Sequence, residues 1–217
     1  MKRFLSLVVC SLAALTASSH NIYTIYPTPQ NQYGFERTAT FTPQVNIVVE
    51  SQIDQTTIDR AIQVLADHGF TATVSTTIAK SGSNLLLGVA GSKGAVDRHV
   101  SSLSLDRSVF AIDGKYDRHL LTLTGNRRGD AQVVILGEHT DAVFYGLASL
   151  EQMLDQGTTD MQCVLIEDYA DIKYRGVIEG YYGVPYSAEV TKDLFRFMAR
   201  FKMNTYMYGA KSDEYHS

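Results

Sequence analysis

The sequence predicts an α/β fold in two parts: an α/β sandwich over residues 20–169, then a strand–helix–strand unit of parallel type within 170–217. Three observations predict it. Apolar runs of strand length alternate with segments of helical period between residues 45 and 169. The chain has 217 residues, 45% hydrophobic and 19% charged, enough to fill one or two cores. Then "YRGVIEGYYGVPYS" at 174–187 breaks the pattern: a glycine-rich aromatic strand leads into one helix and a second aromatic strand, "TYMYG".

Residues 1–19 read as a signal peptide outside the fold. Lys2 and Arg3 make a basic start, Phe4 to Leu15 is an apolar run too short to span a bilayer, and Ala17 and Ser19 are small residues suited to cleavage before His20. A lipoprotein signal through Cys10 fits less well, because Val8 and Val9 stand where a small residue is wanted. The expected location is secreted or periplasmic, with no stable membrane insertion.

"VNIVVE" (45–50) is a strand. "TTIDRAIQVLADHG" (56–69) is a helix, with Ile58, Ile62, Leu65 and Ala66 at helical spacing and Gly69 as its stop. "TATVST" (71–76) and "NLLLGVAG" (84–91) are strands, and "AVDRHVSSL" (95–103) is a short helix. "HLLTLTG" and "VVILGEH" flank "NRRGDA" as a hairpin, whose polar turn accounts for the Arg-Gly-Asp triplet at 128–130 better than an adhesion motif does. "DAVFYGLASLEQMLDQG" (141–157) reads as an amphipathic helix with Phe144, Leu147, Leu150 and Leu154 on one side. "MQCVLIEDY" (161–169) is another strand. The expected arrangement is a sheet with helices on one face.

"DYADIKYRG" (168–176) reads as a polar linker. "SAEVTKDLFRFMARFKMN" (187–204) is a helix capped by Ser187, with an apolar stripe from Val190 through Leu194, Phe197, Met198 and Phe201. With the strands on either side it makes a βαβ unit, whose strands should be parallel neighbours joined by a right-handed crossover.

Charge and cysteines narrow the function classes. Without Lys2 and Arg3, 17 basic groups face 23 acidic ones, a net charge of −6. No basic patch with interleaved aromatics appears, which argues against nucleic acid. Once Cys10 is removed, Cys163 has no partner for an intrachain disulfide, and its apolar strand makes it a buried structural thiol. No histidine spacing suits a metal, and no cofactor is expected.

In a parallel β/α barrel, chemistry sits at the carboxyl ends of the strands. Gly180 ends the first strand of the unit and Lys211 lies just past the second, 31 residues on. Parallel neighbours about 5 Å apart bring both to one rim. A glycine carbonyl accepts from hydroxyls and an ammonium donates, a pairing that suits a vicinal diol of a sugar. Tyr181 and Tyr182 offer a flat apolar face or a phenol. On residues alone a second reading stands beside this one: glycine-rich strand ends also serve tight packing, and lysines face water. Glu179 is open to two readings also, a general acid or a structural ion pair with Arg175. Asp213 and His216 have no visible catalytic partner.

"RGVIEGYYGVPYS…MNTYMYGAKSDEYHS" closely resembles glycoside hydrolase family 84, the β-N-acetylglucosaminidases related to animal O-GlcNAcase and clostridial hyaluronidases. The family pattern runs R-G-x-x-E-G-F-Y-G-x-P-W-S, then a helix, then M-N-x-Y-x-Y-x-P-K-D-D-x-Y-H, and residues 175–217 match it almost continuously. Residues 20–169 resemble the α/β domain that precedes the barrel in this family and in hexosaminidases, with "HTDAVFYGLASLEQML" as its final helix. The resemblance implies that 170–217 begins a TIM (β/α)8 barrel, truncated here. It also implies that Gly180 and Lys211 bind the sugar, with Tyr182 and Asp213 as weaker candidates. Ala210 stands in place of the family Pro, Ser212 in place of the first Asp after the lysine, and Tyr186 in place of Trp.

The resemblance implies a retaining, substrate-assisted glycosidase. The acetamido oxygen of the sugar attacks its own anomeric carbon, and an Asp pair on a later strand orients that amide and moves the proton. A full barrel takes about 250 residues, and 44 are present from Tyr174 onward. The expected chain is therefore an N-terminal fragment that lacks the catalytic pair and is inactive alone, with an N-acetylglucosamine-containing glycan or glycoprotein as partner of the whole enzyme. The rival expectation is a secreted carbohydrate-binding or scaffold module without a barrel.

Overall fold

The structure is a computed structural model that describes residues 22–157, 159–179 and 186–209. The signal-peptide expectation for 1–19 lies outside these residues. The first part is a seven-stranded mixed sheet ordered β1-β7-β5-β6-β4-β2-β3. Its strands are β1 (Asn31–Thr40), β2 (Gln44–Val49), β3 (Thr71–Ser75), β4 (Ser83–Val89), β5 (Tyr116–Gly125), β6 (Ala131–Gly137) and β7 (Asp160–Ala170). β3, β2, β4 and β6 run parallel, whereas β5 pairs antiparallel with both β6 and β7, and β1 closes that edge antiparallel to β7.

The strand order follows from burial. β4, "SNLLLGV", sits between parallel neighbours and is buried at six of its seven residues. A strand covered on both faces needs a continuous apolar run, which this segment supplies. Leu85 and Leu87 point into a core with Ile47, Leu121, Leu123, Val133 and Ile135. Leu86 points the other way, towards Val48, Leu120, Val134 and Leu136.

Helices cover both of these faces, not one as the sequence suggested. Helices α1 (Gln55–Asp67) and α3 (Thr140–Leu154) bring Ala61, Val64, Leu65, Val143, Leu147 and Leu150 to the larger core. Helix α2 (Ala95–Ser102) brings Val96 and Val100 to the smaller one. α2 is short, and its N-terminus is held from outside. The buried Glu50 carboxylate at the end of β2 accepts from the Val96 and Asp97 amides at 2.8 and 2.9 Å, a cap supplied by another element.

α3 also differs from expectation. It is buried around nearly its whole circumference, with Ser149 and Gln152 as well as its apolar residues out of solvent. It lies against β5 and β6 and carries α1 and helix α4 (Ala188–Arg200) on its other sides. Gly146 allows the close approach: a Cβ there would meet Ile135 Cγ2 at 2.4 Å. The sequence reading assigned no element to residues 20–44, where β1 lies. This edge strand is mostly polar, and a register shift between Gly34 and Thr38 interrupts its alternation.

The second part is the expected βαβ unit. β8 (Gly176–Ile178) and β9 (Thr205–Met207) pair in parallel, Gly176 with Thr205 and Ile178 with Met207, across α4. Ser187 caps α4, its hydroxyl accepting from Val190 N. Residues 168–176 are more than a linker. β7 continues to Ala170, and Asp168 and Arg175 are bound into the contact between the two parts.

Candidate functional site at the carboxyl rim of the parallel pair

Parallel pairing sets the carboxyl ends of β8 and β9 side by side, and Glu179 N–H extends the ladder by donating to Met207 O at 2.9 Å. The approach is close at the other end: a Cβ on Gly176 would lie 1.5 Å from the Thr205 carbonyl oxygen, so the position requires glycine. The rim therefore opens on the chain segments that follow residues 179 and 207. Gly180, Tyr182, Lys211 and Asp213, the sequence-derived binding residues, lie outside the described residues.

Glu179 is the chemical group that the structure does place at this rim. It is 4% exposed. Its Oε1 accepts from the Tyr186 amide at 2.9 Å, and its Oε2 accepts from the Tyr206 hydroxyl. That hydrogen bond, with burial as a smaller cause, pushes the Tyr206 phenol up to about 12. One carboxylate thus links the end of β8 to Tyr186 and to Tyr206 of β9. Among the described residues its partners are these two tyrosines and not Arg175, which corrects the ion-pair reading.

Arg175 holds the unit to the sheet domain instead. Its guanidinium meets Asp117 Oδ2 at 2.6 Å and donates to the carbonyls of Ile172 and Lys202. It also lies over the Tyr145 ring, 5.3 Å from the centroid. Burial, with the Asp117 charge beside it, pushes the Tyr145 phenol up to about 12. A second pair is deeper: Lys202 Nζ meets Asp168 Oδ2 at 2.6 Å, and both side chains are 8% exposed. Lys202 holds φ 57° just after α4, a left-handed conformation usually given to glycine at a helix end. The backbone tolerates a side chain there while its ammonium reaches the carboxylate. On the helix side, Arg200 pairs with Glu151 of α3 and with Asp155 just after it, and Gln152 Nε2 donates to the Arg200 carbonyl at 3.0 Å.

Sequence reasoning named Arg175 but missed these pairings, because the partners lie 58 and 34 residues apart. A buried-looking "EDYAD" at a strand end was the available signal. Two further expectations hold, for Cys163 and for the hairpin turn. Cys163 is a buried free thiol whose pKa is raised by burial. Residues 126–130 form the hairpin turn, with Asp130 accepting from Gly82 N and Asn126 Nδ2. Among the described residues no cluster of three metal-ligating side chains occurs, and no helix is long and apolar enough to cross a membrane.

Comparison with known proteins divides the chain at the same place. Residues 22–169 match glycosyl hydrolase family 20, domain 2, and residues 175–217 match the β-N-acetylglucosaminidase family. Protein O-GlcNAcase of Rattus norvegicus and of Mus musculus is 46% identical over 41 residues, which are 19% of this chain and 4% of those proteins. Among solved structures, CpGH84D is similar over 91% of this chain and 32% of its own, with 36% identity and a TM-score of 0.81. The GH20 exo-β-N-acetylglucosaminidase of Vibrio harveyi is similar over 88% of this chain and 27% of its own, with a TM-score of 0.61; at 17% identity it speaks for the fold alone. The chain spans about a third of the length of these solved relatives. Over residues 22–169 the chain belongs to the family of glycosyl hydrolase family 20 second domains, and with the segment that follows it is a glycoside hydrolase family 84-like chain.

Proposed function

We propose that this chain is the N-terminal part of a secreted, retaining β-N-acetylglucosaminidase that removes terminal β-linked N-acetylglucosamine from glycans or glycoproteins. The observation that carries this reading is the parallel β8–β9 pair, with Glu179 buried at its carboxyl end, inside a segment that matches the β-N-acetylglucosaminidase family. In this reading the Gly180 carbonyl and the Lys211 ammonium receive hydroxyls of one pyranose, with Tyr182 and Asp213 beside them. In this reading Glu179 holds Tyr186 and Tyr206 and touches no substrate.

The bond-breaking step belongs to the sugar's acetamido oxygen and to an Asp pair contributed by barrel residues outside these 217. Two neighbouring carboxylates in different surroundings hold different protonation states, which divides the roles of orienting the amide and moving the proton. The exposed apolar residues of α4 and β9, Val190, Phe195, Phe197 and Met207, support a longer barrel over the rival scaffold module. A fluorogenic N-acetyl-β-glucosaminide tests the reading. The protein carrying the whole barrel should release the fluorophore, should fail on the glucoside without the acetamido group, and the 217-residue chain should release none. Turnover by the short chain, or equal turnover of the plain glucoside, contradicts it.

A further inference from the structure

His119 sits in the junction between the two parts and takes no role in the proposed sugar site. It is 1% exposed. It lines a cavity of about 380 Å³ whose walls include Pro27, Gln30, Tyr145, Tyr169 and Ile172. Its Nδ1 lies 2.8 Å from the Asp117 carbonyl oxygen. A carbonyl only accepts, so Nδ1 carries the proton and Nε2 is a bare acceptor in the neutral ring. Among the described residues no hydrogen-bond partner reaches Nε2.

Across from it, at 3.8 Å, is Asp168 Oδ2, the oxygen that already receives the Lys202 ammonium at 2.6 Å. Two acceptors therefore face one another. A proton arriving at Nε2 makes it a donor with a claim on that oxygen, and sets a second cation beside Lys202. Both effects weaken the Lys202 contact, which joins the turn after α4 to β7 of the sheet domain.

We propose that His119 is a proton-responsive latch: by taking one proton at Nε2 it competes with Lys202 for Asp168 and releases the 176–207 unit from the sheet domain in acid. The charged and titratable groups around His119 come from every element packed on it. They are Asp168 and Tyr169 from β7, Asp171 just beyond it, Lys202 from the turn after α4, Tyr145 from α3, and Asp117 from its own strand. Asp117 in turn carries Arg175 and, at 3.7 Å, His139. The residue paired with it on β6 is Gly137, which has no charge. Burial is the largest influence on the ring and lowers its pKa below 6.5; Lys202 adds to this and Asp168 opposes it. The folded state thus holds fewer protons than the unfolded one. The penalty is absent above the ordinary imidazole value and grows as pH falls below it.

Hydrogen–deuterium exchange on the intact chain, corrected for intrinsic rates, tests the latch by comparing α4 with α1 between pH 7.5 and 5.5. The protection of α4 relative to α1 should fall, by up to about ten-fold per pH unit below 6.5 for uptake of one proton. His119→Gln should keep that ratio flat. Lys202→Met should leave α4 weakly protected at both pH values with no slope, and it decides the matter should His119→Gln fail to fold. A flat ratio in the unsubstituted chain, the same slope in either variant, or loss of α1 in step with α4 overturns the proposal.

Discussion

The sheet domain and the βαβ unit are built from similar elements and differ in what they bury. In the first, Ile47, Leu85, Leu87, Leu121, Leu123 and Ile135 are all 0% exposed. In the second, Met198 is the one buried apolar side chain among the described residues, while Val190, Phe195 and Phe197 of a strongly one-sided helix are roughly half exposed. The difference teaches that one region closes its own core and the other leans on its neighbour, through ion pairs to the sheet domain.

The largest effect that would sharpen this contrast is expected at the junction. Lys202→Met leaves Asp168 buried without its partner, and should cost about 3–5 kcal/mol, read as early exchange of α4 amides. If α4 keeps its protection, the unit does not depend on the sheet domain. Leu121→Ala should lower the urea stability of the sheet domain by about 2–5 kcal/mol, since its cavity opens in a closed core. A loss below 1 kcal/mol would mean that the core is looser than its burial implies.

Smaller effects follow in the βαβ unit. Ser187→Ala removes the α4 cap and should cost about 1 kcal/mol, read as faster exchange in the first turn of α4. Val190→Ser, at a half-exposed position of α4, should change the stability of this chain by less than about 0.5 kcal/mol while raising solubility in concentration-dependent scattering. A large loss there would show that the stripe already has a partner within the chain.

What could be read from the sequence tracks how local its cause is. The Ser187 cap, the apolar run of β4 and the parallel βαβ unit depend on neighbours a few residues away, and each was legible. β1 was not, because an edge strand with a broken register has too few buried positions to alternate. The full burial of α3 was misread as one-sided: periodicity marks the face towards the sheet but not the later docking of α4. The ion pairs through Arg175 and Lys202 depend on tertiary contact and leave no periodic mark. Glu179 was legible as an important buried acid, yet its tyrosine partners emerged only from the pairing of β8 with β9.

The central claim is that a pyranose is held at the mouth formed by these two strands. The measurement is kcat/KM for a fluorogenic N-acetyl-β-glucosaminide in the longer protein proposed above, with Lys211→Ala compared against Lys192→Ala on the open side of α4. Losing a hydrogen bond from a charged donor should cost about 1.5–3 kcal/mol, or about 10- to 100-fold, at position 211 and nothing at 192. Equal activity in the two variants would contradict the account.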